Sequence, residues 1–225
     1  MATGVDYRLK RVVTGVLMLV TWPFSIPSVL AYRFLGNESV FDFSAKLLSL
    51  IPGKTGQYLR ASFYVVTLDR CPADVAVAFG SFFSHPGAAL GHRVSIGSYS
   101  IIGTAEIESD VLIASRVSIP SGRHQHFDDT DSESSQSIVA QARLARVHIG
   151  QGAWIGEGAI VMASVGKRSV IGAGSVVTKP VSDGVIAAGN PARTIGERGQ
   201  SGDLAVTAEY GNRIPSVESR AQGVK

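Results

Sequence analysis

The chain has 225 residues, 45% of them hydrophobic, enough for the core of one sizeable domain and a small appendage. A formal net charge of +3, with no basic runs interleaved with aromatics, argues against a nucleic-acid groove. Cys71 is the single cysteine, so neither an intrachain disulfide nor a thiolate zinc site can form, in keeping with a reducing compartment.

The first element is apolar. From Val12 to Tyr32 runs "VVTGVLMLVTWPFSIPSVLAY" without a charge, flanked by Arg8, Lys10 and Arg11 on one side and Arg33 on the other. Its length matches a membrane span. Pro23 and Pro27 each remove a backbone donor, so the segment reads as two short apolar pieces around a bend, lying in the membrane as a hairpin or an interfacial helix pair. A true span and a helix packed only on protein are the alternatives. Trp22, Phe24 and Tyr32 suit the headgroup zone, and no small-residue cleavage site marks a signal peptide. "YRFLGNESVFDFSAKLLSLIPGKTGQYLRASFYVVTL" continues as amphipathic helix, which makes residues 1–70 a helical membrane-associating region.

From about Cys71 a repeat takes over. Leu90, Ile96 and Ile102 are six apart, each followed by Gly; after a step of five, Ile107, Ile113 and Ile119 keep the beat. It resumes at Ile149, Ile155 and Val161, and again, after a step of ten, at Ile171 and Val177. A period of six fits neither an amphipathic helix nor alternating strands. It fits a coil of three short strands, each turning a corner and placing one aliphatic residue inward, with small residues at the corners so that coils stack. The domain spans residues 71–198, with an interrupting loop at 120–146. The tail, 199–225, lacks a sustained apolar period and reads as disordered.

The repeat, and the closing "IGAGSVVTKPVSDGVIAAGNPART", resemble the hexapeptide-repeat acyltransferases, in particular their membrane-associated sugar and polysaccharide O-acetyltransferases. The resemblance covers about residues 73–197. It implies an all-β, left-handed parallel β-helix, the hand coming from the resemblance alone and running against the usual crossover rule. It also implies a homotrimer with acetyl-CoA as acyl donor. Ala173 and Thr178 match positions that hold the pantetheine arm, and Arg193 one that meets the coenzyme phosphates, a task suited to a planar guanidinium; Lys179 is an assistant there. "VMASVGKRSVIG" falls two residues short of two hexapeptides, which puts family contacts around Ala163 to Arg168 in doubt.

In the family's sugar acetyltransferases a loop carries the catalytic histidine into a cleft between subunits. "SGRHQHFDD" looks like that segment, with His124 at the matching position and His126 as competitor on the same face of an extended strand. Imidazole, with an unperturbed pKa near ~6.5, can take the proton of a sugar hydroxyl as it attacks a thioester. Asp128 or Asp129 would orient the ring or the substrate, and Trp154 matches an aromatic near the cleft. No metal is required. The expected activity is O-acetylation of a lipid-linked precursor of an exopolysaccharide, capsule or lipopolysaccharide, at the cytoplasmic face of a bacterial inner membrane. Acyl transfer to an amine or amino acid, a non-catalytic scaffold, and a γ-type carbonic anhydrase using His85, His92, His124, His126 or His148 are the alternatives.

Overall fold

The computed structural model describes residues 4–120 and 146–199, together with the strand Leu204–Val206. Three helices, α1 (Gly4–Leu35), α2 (Ser39–Ser49) and α3 (Gly53–Thr67), stand before a parallel β-solenoid. Its strands are two to four residues long because the inward side chains are a single aliphatic per side of the coil.

Three faces share the work. The first holds β1 (Ala76–Val77), β4 (Ser95–Ile96), β7 (Leu112–Ile113), β10 (Trp154–Ile155), β12 (Val170–Ile171) and β14 (Val185–Ala188). The second holds β2 (Phe82–Phe83), β5 (Ile101–Ile102), β8 (Ser118–Ile119), β11 (Ile160–Val161) and β13 (Val176–Val177). The third holds β3 (Ala89–Leu90), β6 (Ala105–Ile107) and β9 (Val147–Ile149), extended by single bridges at Val165 and Val181. In-register pairing stacks like on like: Ile96 on Ile113, Ile102 on Ile119, Leu90 on Ile107 on Ile149. These columns are fully buried, so each coil covers the apolar end of its neighbour.

The step between inward residues is six at two of the three corners, without exception. From first to second face it runs 77 to 83, 96 to 102, 113 to 119, 155 to 161 and 171 to 177; from third to first, 90 to 96, 107 to 113, 149 to 155, 165 to 171 and 181 to 187. Each of these corners turns on a left-handed residue three positions after the inward one: Gly80, Tyr99, Arg116, Gly158 and Gly174 at one corner, Arg93, Asp110, Gly152, Arg168 and Gly184 at the other. Among the described residues the remaining corner has no such residue, and its length varies from coil to coil. There the chain passes from Phe83 to Leu90, Ile102 to Ile107, Ile119 to Ile149, Val161 to Val165 and Val177 to Val181. The apparent step of ten is therefore one four-residue corner followed by an ordinary six, with Val165 buried on the third face.

Coil contact also fixes residue type. A Cβ on Gly156 would sit 2.5 Å from the Ala173 backbone nitrogen, one coil on. Buried serines serve the corner amides: Ser81 Oγ accepts from Ser100 N at 2.8 Å, and Ser100 Oγ from Val117 N at 3.1 Å.

The division into two pieces expected at Pro23 and Pro27 does not occur: α1 is a single α-helix with both prolines inside it. Both prolines lie on its exposed side, while Thr21, Ser25 and Ser28 form a buried small-residue stripe toward α2 and α3. Ser28 Oγ lies 3.5 Å from Ser44 Oγ of α2, and the hydroxyls of Ser25 and Ser28 donate back to the carbonyls of Thr21 and Phe24. Packing on that face keeps the helix in one piece across the lost amides.

Phe41, Phe63, Tyr64 and Phe83 form an aromatic cluster that seats the helices on the first coil. Arg60 locks the joint. It is 1% exposed, and its guanidinium donates to Leu48 O, Ser49 O and Ile51 O at the end of α2 and to Val77 O of β1. At the far end β15 (Arg193–Arg198) turns back antiparallel on β14 and pairs with β16 (Leu204–Val206). Three residues expected in a structureless tail are thus a strand; the rest of that tail lies outside the described residues.

Candidate active site

The variable corner explains where the interruption falls. Segment 121–145 leaves after β8 and rejoins before β9, between second and third faces, the corner whose length varies from coil to coil. His124, His126, Asp128 and Asp129 lie on this segment, outside the described residues. Arg146, where the described chain resumes, forms an ion pair with Asp69 of the first coil.

At the last coils the chain forms a cleft of about 260 Å³, lined by Lys179, Pro180, Ser182, Ala187, Ala192, Arg193 and neighbours. Lys179 and Arg193 are therefore brought together, by the last variable corner and the start of β15. Both are exposed, and neither has a carboxylate partner among the described residues; Arg193 Nη1 donates only to the adjacent Ala192 O. Two unneutralised cations against an apolar floor suit a phosphorylated ligand with an extended arm. Ala173 and Thr178 do not line this cleft. Ala173 stands on the first-to-second corner of the same coil, and Thr178 opens the variable corner.

Trp154 projects outward from β10 on the first face, 40% exposed, beside Leu112 of the coil before. In a three-sided coil this face is opposite the corner from which segment 121–145 leaves. Ile101 and Ile160 on the second face and Tyr99 at the intervening corner are also exposed, so apolar surface gathers on this side of the solenoid.

Every described histidine pairs with a different carboxylate: His85 with Glu38 at 2.6 Å, His92 with Asp74 at 3.1 Å, His148 with Glu108 at 3.2 Å. They do not converge, and no three metal-ligating side chains cluster among the described residues. The Arg93 guanidinium holds the Asp110 carboxyl below the usual range, a corner-to-corner pair between successive coils. Burial pushes the Cys71 thiol up to about 12, which removes it as a nucleophile. Sequence reasoning missed Arg60: its burial is not legible in "QYLRASF", because its partners are carbonyls distant in the chain.

No family model matches the chain. Among curated proteins it is 43% identical over 181 residues to a chloramphenicol acetyltransferase of Agrobacterium fabrum, 68% of this chain and 82% of that one. It is 36% identical over 111 residues to WbbJ of Escherichia coli K12, named for lipopolysaccharide biosynthesis O-acetyl transfer, a match covering 46% of this chain and 57% of the relative. The chain thus spans little more than half of that relative. Among solved structures, a maltose O-acetyltransferase from Clostridium difficile 630 superposes with a TM-score of 0.58 at 23% identity, over 75% of this chain and 90% of that one. A galactoside acetyltransferase in complex with coenzyme A gives 0.52 at 25% identity, over 69% and 80%. With a parallel solenoid of six-residue steps, a cationic cleft at its closing coils and a relative matched over most of its length, the chain belongs to the hexapeptide-repeat acyltransferases.

Proposed function

We propose that the protein transfers acetyl from acetyl-CoA to a hydroxyl of a membrane-borne glycan, working as a homotrimer. The observation that carries the donor is the cleft holding Lys179 and Arg193, whose free cations suit the coenzyme phosphates; Ala173 and Thr178, outside the cleft on corners of the same coil, are assigned to the pantetheine arm from the family motif alone. The galactoside acetyltransferase solved with coenzyme A supports the same reading.

The reaction is one displacement. His124, or His126, takes the proton of the acceptor hydroxyl as its oxygen attacks the thioester carbonyl. The tetrahedral adduct then expels coenzyme A, whose sulfur receives the proton, leaving an acetyl ester. Asp128 or Asp129 orients the imidazolium. Because Trp154 stands opposite the corner from which this segment leaves, a site that uses both joins two subunits, and the exposed Leu112, Ile101 and Ile160 support such a contact.

The acceptor is read from the helices. Leu19, Trp22, Leu30 and Phe34 of α1, Phe43 of α2 and its C-cap Leu50 are exposed, and Gly15–Leu35 is apolar enough to cross a membrane. With the other side of α1 packed on α2 and α3, the helix lies along a cytoplasmic membrane surface rather than through it. The relative named for lipopolysaccharide biosynthesis fits this acceptor class. The chloramphenicol acetyltransferase match supports a second reading, in which the acceptor is a small soluble alcohol.

The deciding experiment measures acetyl transfer to a lipid-linked glycan and to chloramphenicol, with His124→Ala and His126→Ala beside the wild type. Turnover on the glycan should fall by roughly 10²- to 10⁴-fold for His124→Ala and less for His126→Ala, with coenzyme A affinity retained. A severe loss only at His126 exchanges the two roles. Normal turnover in both variants ends the histidine-base mechanism, and transfer to chloramphenicol alone selects the second reading.

A further inference from the structure

A second cleft lies at the opposite end of the solenoid. It measures about 500 Å³ and is lined by Ser28 and Val29 of α1, Phe41 of α2, Val66 and Thr67 of α3 with its C-cap Leu68, and Pro86 of the first coil. Tyr32 and Arg33, from the last turns of α1, line the same cleft. Arg33 is exposed and has no hydrogen-bond or ion-pair partner among the described residues. The acidic residue of the lining, Asp69, is neutralised by Arg146. The cleft therefore joins an apolar patch of Val29, Phe41 and Val66 to a polar remainder, and its net unpaired charge is cationic.

Its position is as informative as its lining. On one side α1 carries exposed Ile26, Leu30 and Phe34, so the cleft adjoins the face read above as lying on lipid. On the other, Pro86 stands on the variable corner of the first coil, and Arg146 ties the return of segment 121–145 to Asp69. The segment bearing His124 and His126 is thus rooted at this corner, two coils on, a separation of about 10 Å at ~4.8 Å per coil.

Taking the acceptor to be membrane-borne, we infer that this cleft seats the lipid side of that acceptor. Its phosphate pairs with Arg33, its first hydrocarbon units lie against Val29, Phe41 and Val66, and its glycan runs along the variable corner toward the histidine segment. The ligand class is a long-chain lipid phosphate. A guanidinium at the mouth recognises the phosphate by charge-assisted hydrogen bonds, and the walls recognise the chain by burial.

The test uses the full chain in mild detergent and a fluorescent polyprenyl monophosphate, with the uncharged polyprenol and inorganic pyrophosphate as competitors. The wild type should bind the lipid phosphate more tightly than the alcohol. Arg33→Gln should lose about tenfold for the phosphate and nothing for the alcohol. Val66→Trp, which fills the cleft from an exposed position, should weaken both. Flotation with phosphatidylglycerol–phosphatidylcholine vesicles should persist in both variants, because the outer face of α1 is unchanged. Wild-type binding in both variants overturns the inference, as does displacement by pyrophosphate as effective as by unlabelled lipid, since the chain then adds nothing. Coenzyme A binding and transfer to a water-soluble glycoside by the wild type are read in parallel. Normal values there beside absent lipid binding remove this site alone, whereas their failure removes the transferase reading.

Discussion

Arg60 shows how much a single side chain can decide. A guanidinium at 1% exposure with no carboxylate near it is tolerated because four carbonyls, three of them ending α2, face it, and a helix C-terminus carries partial negative charge. Desolvation by burial lowers its pKa from the usual guanidinium range. Arg60→Ala takes the guanidinium from Ile51 O and Val77 O, while Leu48 O and Ser49 O keep the backbone amides of Ile51 and Gly80, so urea unfolding should show a loss of roughly 3 kcal/mol, and Arg60→Lys a smaller one, since one ammonium cannot span the fork. A loss under about 1 kcal/mol in Arg60→Ala would show that water replaces the guanidinium. Cys71 gives a pH prediction of definite sign. Its thiol pKa is raised from 9.0 to about 12, so the folded state keeps a proton that the unfolded state gives up. The resulting stability is complete below pH 9 and is lost as pH rises toward about 12. The urea midpoint should therefore fall over that window less steeply in Cys71→Ala than in the wild type, and the native thiol should resist alkylation at pH 8 until the chain unfolds. In the closing cleft, Arg193→Ala should raise the KM for acetyl-CoA by roughly tenfold with little change in kcat, the signature of a lost phosphate contact; a fall in kcat alone would put Arg193 at the reacting centre instead.

Among the elements, the corners were only half legible. A six-residue beat exposes the two corners that turn on a left-handed residue, because their length is invariant and their inward residues are large aliphatics such as Ile96 and Ile113. Val165 and Val181 escaped the count, since four-residue corners put them off the beat. Interruption at the third corner follows from the same physics: without a fixed turn, extra chain can be added there while Ile119 and Ile149 keep their places in the stack. The residues Lys179 and Arg193 were nameable from the closing motif, but their convergence depends on β15 folding back along β14, which no local pattern announces. In α1 the propensity argument lost to packing. Prolines at 23 and 27 need not divide a helix whose other face is packed, and Thr21, Ser25 and Ser28 are buried on that face. The outward face can be tested separately. Leu19→Glu with Leu30→Glu changes two exposed positions, so the melting temperature should stay within a few degrees while flotation with anionic vesicles is lost. Unchanged flotation would remove α1 as the membrane anchor.

At the scale of the molecule, the solenoid separates the parts that a transferase must combine. The cleft proposed for coenzyme A is at the last coil, the histidine segment leaves from the third coil at the variable corner, and Trp154 stands on the face opposite that corner. On the proposed mechanism one chain would have its base and its aromatic wall on different sides, and a rotational assembly in which the apolar side of one solenoid receives the segment of the next would restore them to a single site. Leu112, Ile101, Ile160 and Tyr99 give that side the exposed apolar surface a stable contact requires. In mild detergent, light scattering should report three subunits. Leu112→Glu with Ile160→Glu places charge where two coils present outward aliphatics, and neither side chain contributes to the inward columns, so circular dichroism should still show the solenoid. The variant should run as a monomer that binds coenzyme A only weakly and transfers no acetyl, because each cleft has lost its partner wall. A stable monomer with full turnover would confine the whole site to one chain and end the shared-site model.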